Sequence, residues 1–186
     1  MKRLLISFLY AVSAITFAAD YEFDTAHTQI FFSASHAGFT TSTGAFVDFD
    51  GSFNFDEKDV SQSKVEVTIQ TDSIDLNDAT WNDHMMGKKW FDVESYPTMV
   101  FKSTSVKKTS DKTMDVLGDF TLKGVTKPVT LKVTFNKAGA LFGKEKIGFS
   151  AATTIDRTEF GMTANASAVG TMIPIRIEVE GVKVGE

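Results

Sequence analysis

The chain has 186 residues, 42% of them apolar and 23% charged, with 19 Lys+Arg against 24 Asp+Glu. That length suits one ordinary domain with a substantial core, and the net charge of −5 removes the simplest electrostatic case for nucleic-acid binding, which wants a basic surface. No cysteine is present, which excludes disulfides, thiolate metal sites, a Cys nucleophile and an acylated Cys anchor.

Lys2 and Arg3 precede an almost continuous apolar run from Leu4 to Phe17, which exits through Thr16-Phe17-Ala18. A basic head, an apolar stretch of about a dozen residues and a small-residue exit predict a secretory signal peptide over 1–18, cleaved after Ala18. The run falls short of the roughly 20 residues that a membrane-spanning helix needs. The remainder, 19–186, is expected to be a single exported, periplasmic domain without a transmembrane segment.

From Thr28 onward the apolar residues recur at alternate positions. The first run holds Ile30, Phe32 and Ala34, and the second Ala45, Val47, Phe49, Phe53 and Phe55. Val65, Val67 and Ile69 make the third, and Met99 and Phe101 lead the fourth. Met114, Val116, Phe120 and Leu122 form the fifth, then Val129, Leu131, Val133 and Phe135 the sixth. Ile147, Phe149, Ala151 and Ile155 follow, and finally Ile173, Ile175, Ile177 and Val179. Strict alternation gives each strand one wet and one dry face. The short polar connections at 56–63, 107–112 and 137–143 favour antiparallel neighbours. Eight such strands close into an up-and-down barrel or pair as a sandwich.

The stretch 77–91 breaks the alternation and carries helix signals. Asn77 is the expected N-cap, Leu76 and Trp81 the two halves of a hydrophobic staple, and Gly87 the C-terminal cap. A short helix between strands three and four, with Trp81 and Met85 on one face, would lie across one barrel end.

The face opposite the apolar set carries Glu66, Lys102, Asp115, Asp119, Lys132, Arg176, Glu178 and Glu180. In an outer-membrane barrel those residues would face lipid, at up to ~2–4 kcal/mol for each midplane Lys or Arg. The apolar faces therefore point inward. Small inward residues (Ala34, Ala45, Gly118, Ala151) alternate with large ones, which leaves both a cavity and a side-chain-filled core open.

Several blocks, His84 to Ser103, Gly118 to Leu131 and Gly148 to Met162, with the ADYEFDTAHTQIFFSASHAGF opening and GAFVDFDGSFNFD, closely resemble the bacterial YceI-like family. The resemblance spans nearly all of the chain after the leader. It implies an all-β, lipocalin-like eight-stranded barrel whose lumen takes a long isoprenoid or related lipid, with no catalytic residues and no cofactor. Where family members often carry an Arg-Asp-x-His-Leu-Arg type of run, this chain has Asn82-Asp83-His84-Met85-Met86, two basic groups fewer. The expected lipid-contacting set is then Phe32, Ala34 and His36 from strand one and Val47 and Phe49 from strand two. Val67, Ile69, Trp81, Met85, Trp90 and Phe101 come from strands three and four and the helical region between them. Val116, Phe120, Leu131, Phe149, Ala151, Ile175 and Ile177 complete it.

His27, His36 and His84 show no zinc-type spacing, and an ordinary mouth or capping role is the better reading. His36 has the chemistry to hydrogen-bond a lipid head group at the mouth. Asp48, Asp50 and Asp56 fail the calcium-loop pattern and read as a solvated strand face. Arg157 is expected to make a structural contact near Asp156 or Glu159. No nucleophile elbow, phosphate loop or dinucleotide fingerprint occurs, so no catalytic set is assigned. The expected function is a periplasmic carrier of a long-chain isoprenoid or quinone-like lipid. An enzyme acting on such a lipid, a filled barrel without ligand, and a homodimeric state stay open.

Overall fold

Residues 18–185 are described by the structure, a computed structural model; the predicted leader up to residue 17 lies outside them. Among the described residues, eleven strands form one antiparallel sheet. They are β1 (Ala19–Phe23), β2 (Gln29–His36), β3 (Thr40–Phe46), β4 (Phe49–Phe55), β5 (Lys64–Gln70) and β6 (Ile74–Asp75), then β7 (Thr98–Lys108), β8 (Thr113–Leu122), β9 (Val125–Leu141), β10 (Lys144–Asp156) and β11 (Met172–Lys183). The register reduces these to the expected eight staves. β1 and β2 lie end to end along β11. β3 and β4 continue one another along β2 and β1, as do β6 and β5 along β3 and β4. Staves then pair in chain order, and β1 on β11 closes the ring. Among the described residues, no helix is long and apolar enough to cross a membrane.

The three broken staves interrupt beside one another, each with its own repair. At the first break, Asp24 O accepts from the Thr28 N–H at 2.8 Å. The Thr28 hydroxyl then donates to Glu180 O and accepts from Glu180 N. At the third, fully buried Thr71 donates its hydroxyl to Tyr96 O at 2.8 Å. At the second, Val47 and Asp48 leave the ladder, and this shifts parity. Phe46, not Ala45 or Val47, is the buried residue before the break, and Phe49 the one after it.

Helix α1 (Ala79–Met86) spans the end of the barrel between β6 and β7, as expected, but starts one residue late. Asp78 is the N-cap, its carboxylate accepting from the Trp81 N–H at 2.9 Å. Asn77 instead sits at φ 60°, its N–H donated to the Asp75 carboxylate. The Leu76–Trp81 staple is thereby lost. Leu76 packs on the core while Trp81 stays 45% exposed. Gly87 does cap the C-terminus, donating its N–H to His84 O.

Outward charges make cross-strand pairs such as Lys102–Glu66 (2.8 Å) and Lys132–Asp115 (2.7 Å). More sheltered is Lys146 on β10, which bonds both Asp24 at 2.9 Å and Glu180, tying the first break to β10 and β11. That hydrogen bond from Lys146 holds the Asp24 carboxyl at about 2, against an ordinary 3.8. The unfolded chain therefore binds this proton more readily. The contribution of Asp24 to stability is complete above about pH 4 and is lost as the pH falls toward 2. The urea midpoint should drop across that interval, and the drop should be shallower in Asp24→Asn.

Candidate functional site

The inward faces enclose an apolar cavity of about 230 Å³. Three close approaches keep it open. A Cβ at Gly44 would come within 2.5 Å of the Phe32 ring, one at Gly118 within 2.4 Å of Phe101, and one at Gly181 within 2.4 Å of Phe53. Each ring lies over the bare backbone of a glycine, so its bulk hugs the wall. At the end away from α1 the aromatics instead meet one another. Phe55 stacks on Phe135 at 6.1 Å, and both meet Phe149 edge-on, at 5.1 and 5.7 Å. Such geometries favour the ring quadrupoles beyond simple area burial. At the α1 end Trp90, Phe91 and Phe160 are almost wholly buried.

Of the expected contact residues, Phe32, Ala34, Phe49, Val67, Ile69 and Met85 line this cavity. So do Trp90, Phe101, Val116, Phe120, Leu131, Phe149, Ala151, Ile175 and Ile177. Three do not. Val47 falls in the break and is 65% exposed. Trp81 turns outward once Asp78, not Asn77, caps the helix. His36 ends β2 beyond the inward register, bridging to Val169 with its ring 6.2 Å from Trp81.

Further lining residues were not in that set. Met99, Leu122, Ile155 and Ile173 already lay on the inward register, whereas Phe46 was hidden by the parity shift. Phe91, Met162 and Val169 come from irregular segments with no periodic signal. Met85, Met99, Met114 and Met162 give the wall four unbranched, adaptable side chains.

Arg157 is the buried charge in this lining, 2% exposed. Its contacts differ from those expected. Asp156 caps Thr158, and Glu159 lies 3.6 Å from Lys127. The guanidinium instead donates to backbone carbonyls of Gly170 (3.0 Å), Ala164 (2.9 Å), Val169 (2.8 Å) and Met162. It also sits over the Trp90 ring at 5.1 Å. Burial pushes its pKa below the ordinary value, yet four carbonyl partners keep it charged. The side chain therefore pins the 161–170 connection across the barrel end. The indole N–H of Trp90 and one carboxylate oxygen of Asp92 have no hydrogen-bond partner among the described residues.

Among the described residues, Asp24, His27 and Glu180 converge within 4.8 Å. The Lys146 ammonium already bonds both carboxylates there, so the cluster reads as an ion-pair network. His84 lies elsewhere, against Trp90. Arg157→Met should remove the loop clamp and strand its carbonyls, lowering stability by about 3 kcal/mol or more in chemical denaturation.

A family described as the YceI-like domain matches residues 21–181. A UPF0312 protein of Pseudomonas putida is 42% identical over 169 residues, 89% of this chain and 88% of that protein. Protein YceI of Salmonella agona is 38% identical over 190 residues, 98% and 99% of the two chains. Among solved structures, Burkholderia cenocepacia BcnA superposes with TM-score 0.79 and 27% identity, over 85% of this chain and 98% of that one. A polyisoprenoid binding domain from Saccharophagus degradans, implicated in plant cell wall breakdown, gives TM-score 0.69 over 89% and 99%. At 15% identity, that last likeness shows the fold alone.

Proposed function

The chain belongs to the YceI-like domain family, and on that footing we propose that it is a periplasmic carrier holding the tail of a long-chain isoprenoid or quinone-like lipid in its lumen. The observation that carries this reading is a continuous apolar cavity whose largest side chains lie along its wall. The polyisoprenoid named for the Saccharophagus degradans domain, which shares the barrel, supports the same class of cargo. Export rests on the leader read from Lys2 to Ala18.

Partition supplies the affinity. At ~0.8 kcal/mol per methylene, each five-carbon isoprene unit contributes roughly 4 kcal/mol. Three or four units then offset the ~4–15 kcal/mol lost in association. Size is the tighter demand. The cavity is smaller than the ~300–1,000 Å³ of ordinary small-molecule pockets. A long tail enters extended, with the four methionines moving aside. A binding protein is favoured over an enzyme because the polar lining is sparse, and its one buried charge, Arg157, is spent on carbonyls.

Mass spectrometry of an organic extract of the purified protein should find one long-chain lipid per chain; repeatedly empty preparations would overturn the carrier reading. Ala151→Phe puts a ring into the lumen between Val133 and Ile177. Displacing about two methylenes should weaken lipid uptake about tenfold. The β circular-dichroism signature should persist.

A further inference from the structure

Phe142 is 94% exposed, in a place where local geometry argues against a phenylalanine. The pairing of β8 with β9 stops at Thr113 opposite Thr134, whereas β9 and β10 stay paired as far as Leu141 opposite Lys144. Residues 136–145, read from sequence largely as a loop, therefore form a two-stranded ribbon. It projects from the end of the barrel away from α1. Its turn, Phe142-Gly143, has φ of 51° and 77°. Two consecutive positive values mark a hairpin turn that favours Asn-Gly or Asp-Gly, and a bulky residue there is a genuine outlier. Neither burial nor turn chemistry accounts for the ring, and such strain is characteristically retained at functional positions. Leu141 beside it is 48% exposed.

Charge supplies the second observation. Ile147 points inward and faces Ala138, so alternation puts Lys137, Leu141 and Lys144 together on the outer face. Lys112 borders the same end, its carbonyl accepting from the Phe135 N–H at 2.8 Å, and Lys107 stands on the same hairpin as Lys112. Among the described residues, none of these four lysines makes a salt bridge; Asp115, opposite Lys107 in the register, is held by Lys132 at 2.7 Å, and in that hairpin Lys108 takes Asp111. Glu145 is the only acid of the ribbon. The acidic turn at 56–59 stands on the far side of the ring, four staves away. A chain of net charge −5 thus gathers lysines without salt bridges around the most exposed large apolar side chain among the described residues.

We infer that this ribbon is a docking wedge for an anionic lipid bilayer. Phe142 and Leu141 enter the boundary between head groups and acyl chains, while Lys137, Lys144, Lys112 and Lys107 rest on phosphates. The rival occupant is a second copy pairing with the open β9 edge of the ribbon. Lys137 on that edge is a feature that blunts edge-to-edge pairing. Phe39, also exposed, tops the β2–β3 hairpin at the opposite end. There Ala37 and Gly38 carry the positive φ, so Phe39 is unstrained and makes no comparable case.

The test is flotation of the purified protein with vesicles of phosphatidylcholine alone or mixed with phosphatidylglycerol. The protein should float with the mixed vesicles and stay behind with the neutral ones. Lys137→Gln and Lys144→Gln should each weaken binding about fivefold. Phe142→Asn should abolish flotation and leave the melting temperature equal or higher, since Asn suits the turn. No flotation with the mixed vesicles, equal flotation with both kinds, or wild-type flotation of Phe142→Asn would each overturn the inference. A wild-type dimer in analytical ultracentrifugation that Phe142→Asn dissociates would assign the ribbon to a second copy, and the bilayer would be excluded.

Discussion

Room inside the barrel depends on aromatic rings resting against the bare backbone of glycines. Phe32, Phe53 and Phe101 each cover a glycine of a nearby strand, and a single methyl group at Gly44, Gly118 or Gly181 would meet a ring atom at 2.4–2.5 Å. With side chains at those positions the rings would swing toward the axis, and the interior would fill as small eight-stranded barrels commonly do. Pairing a ring with a glycine of a nearby strand is thus one way that a Phe-rich chain keeps a hollow centre.

The two ends of the lumen are finished differently. Away from α1, Phe55, Phe135 and Phe149 close on one another, an apolar solution that needs no polar partner. At the α1 end the chain is irregular, and its carbonyls require donors. Arg157 meets that need from within the lining, joining the 161–170 connection to the Trp90 ring. Burying a guanidinium is tolerable there because its N–H groups are matched by fixed carbonyl oxygens. Between the ends, methionines on four separate segments give an otherwise close-packed wall some compliance.

Much of this was legible from residue alternation, because a closed sheet imposes one dry face on every stave. Eight staves, the outward charges and most lining residues follow from period two alone. The failures are local and share a cause. At Val47-Asp48 the strand breaks, parity changes, and Phe46 replaces Val47 inside; nothing in the apolar pattern marks a break that neighbouring staves enforce. β1 alternates Tyr21 and Phe23 with Asp20 and Glu22, but it lies ahead of Thr28, the start of the recurring alternation. Asn77 and Asp78 are equally good caps by residue type, and the Asp75 carboxylate decides between them by claiming the Asn77 N–H. Lys137 to Gly143 looks like a loop because its residues bury nothing, although Lys137 to Leu141 pair with β10 and only Phe142-Gly143 is the turn. The carbonyl set of Arg157 comes from the 161–170 connection, which no spacing rule could assemble.

The seam between β1 and β11 joins the two staves most distant in the chain, while the other seams join consecutive ones. Seven staves can meander into place locally, but the enclosure exists only once the last is laid beside the first. A chain interrupted ahead of Met172 would display an open, Phe-lined sheet with two bare margins, the kind of surface that chaperones bind and proteases clear. The enclosed cavity and the loss of both bare margins thus arise from the same closing seam.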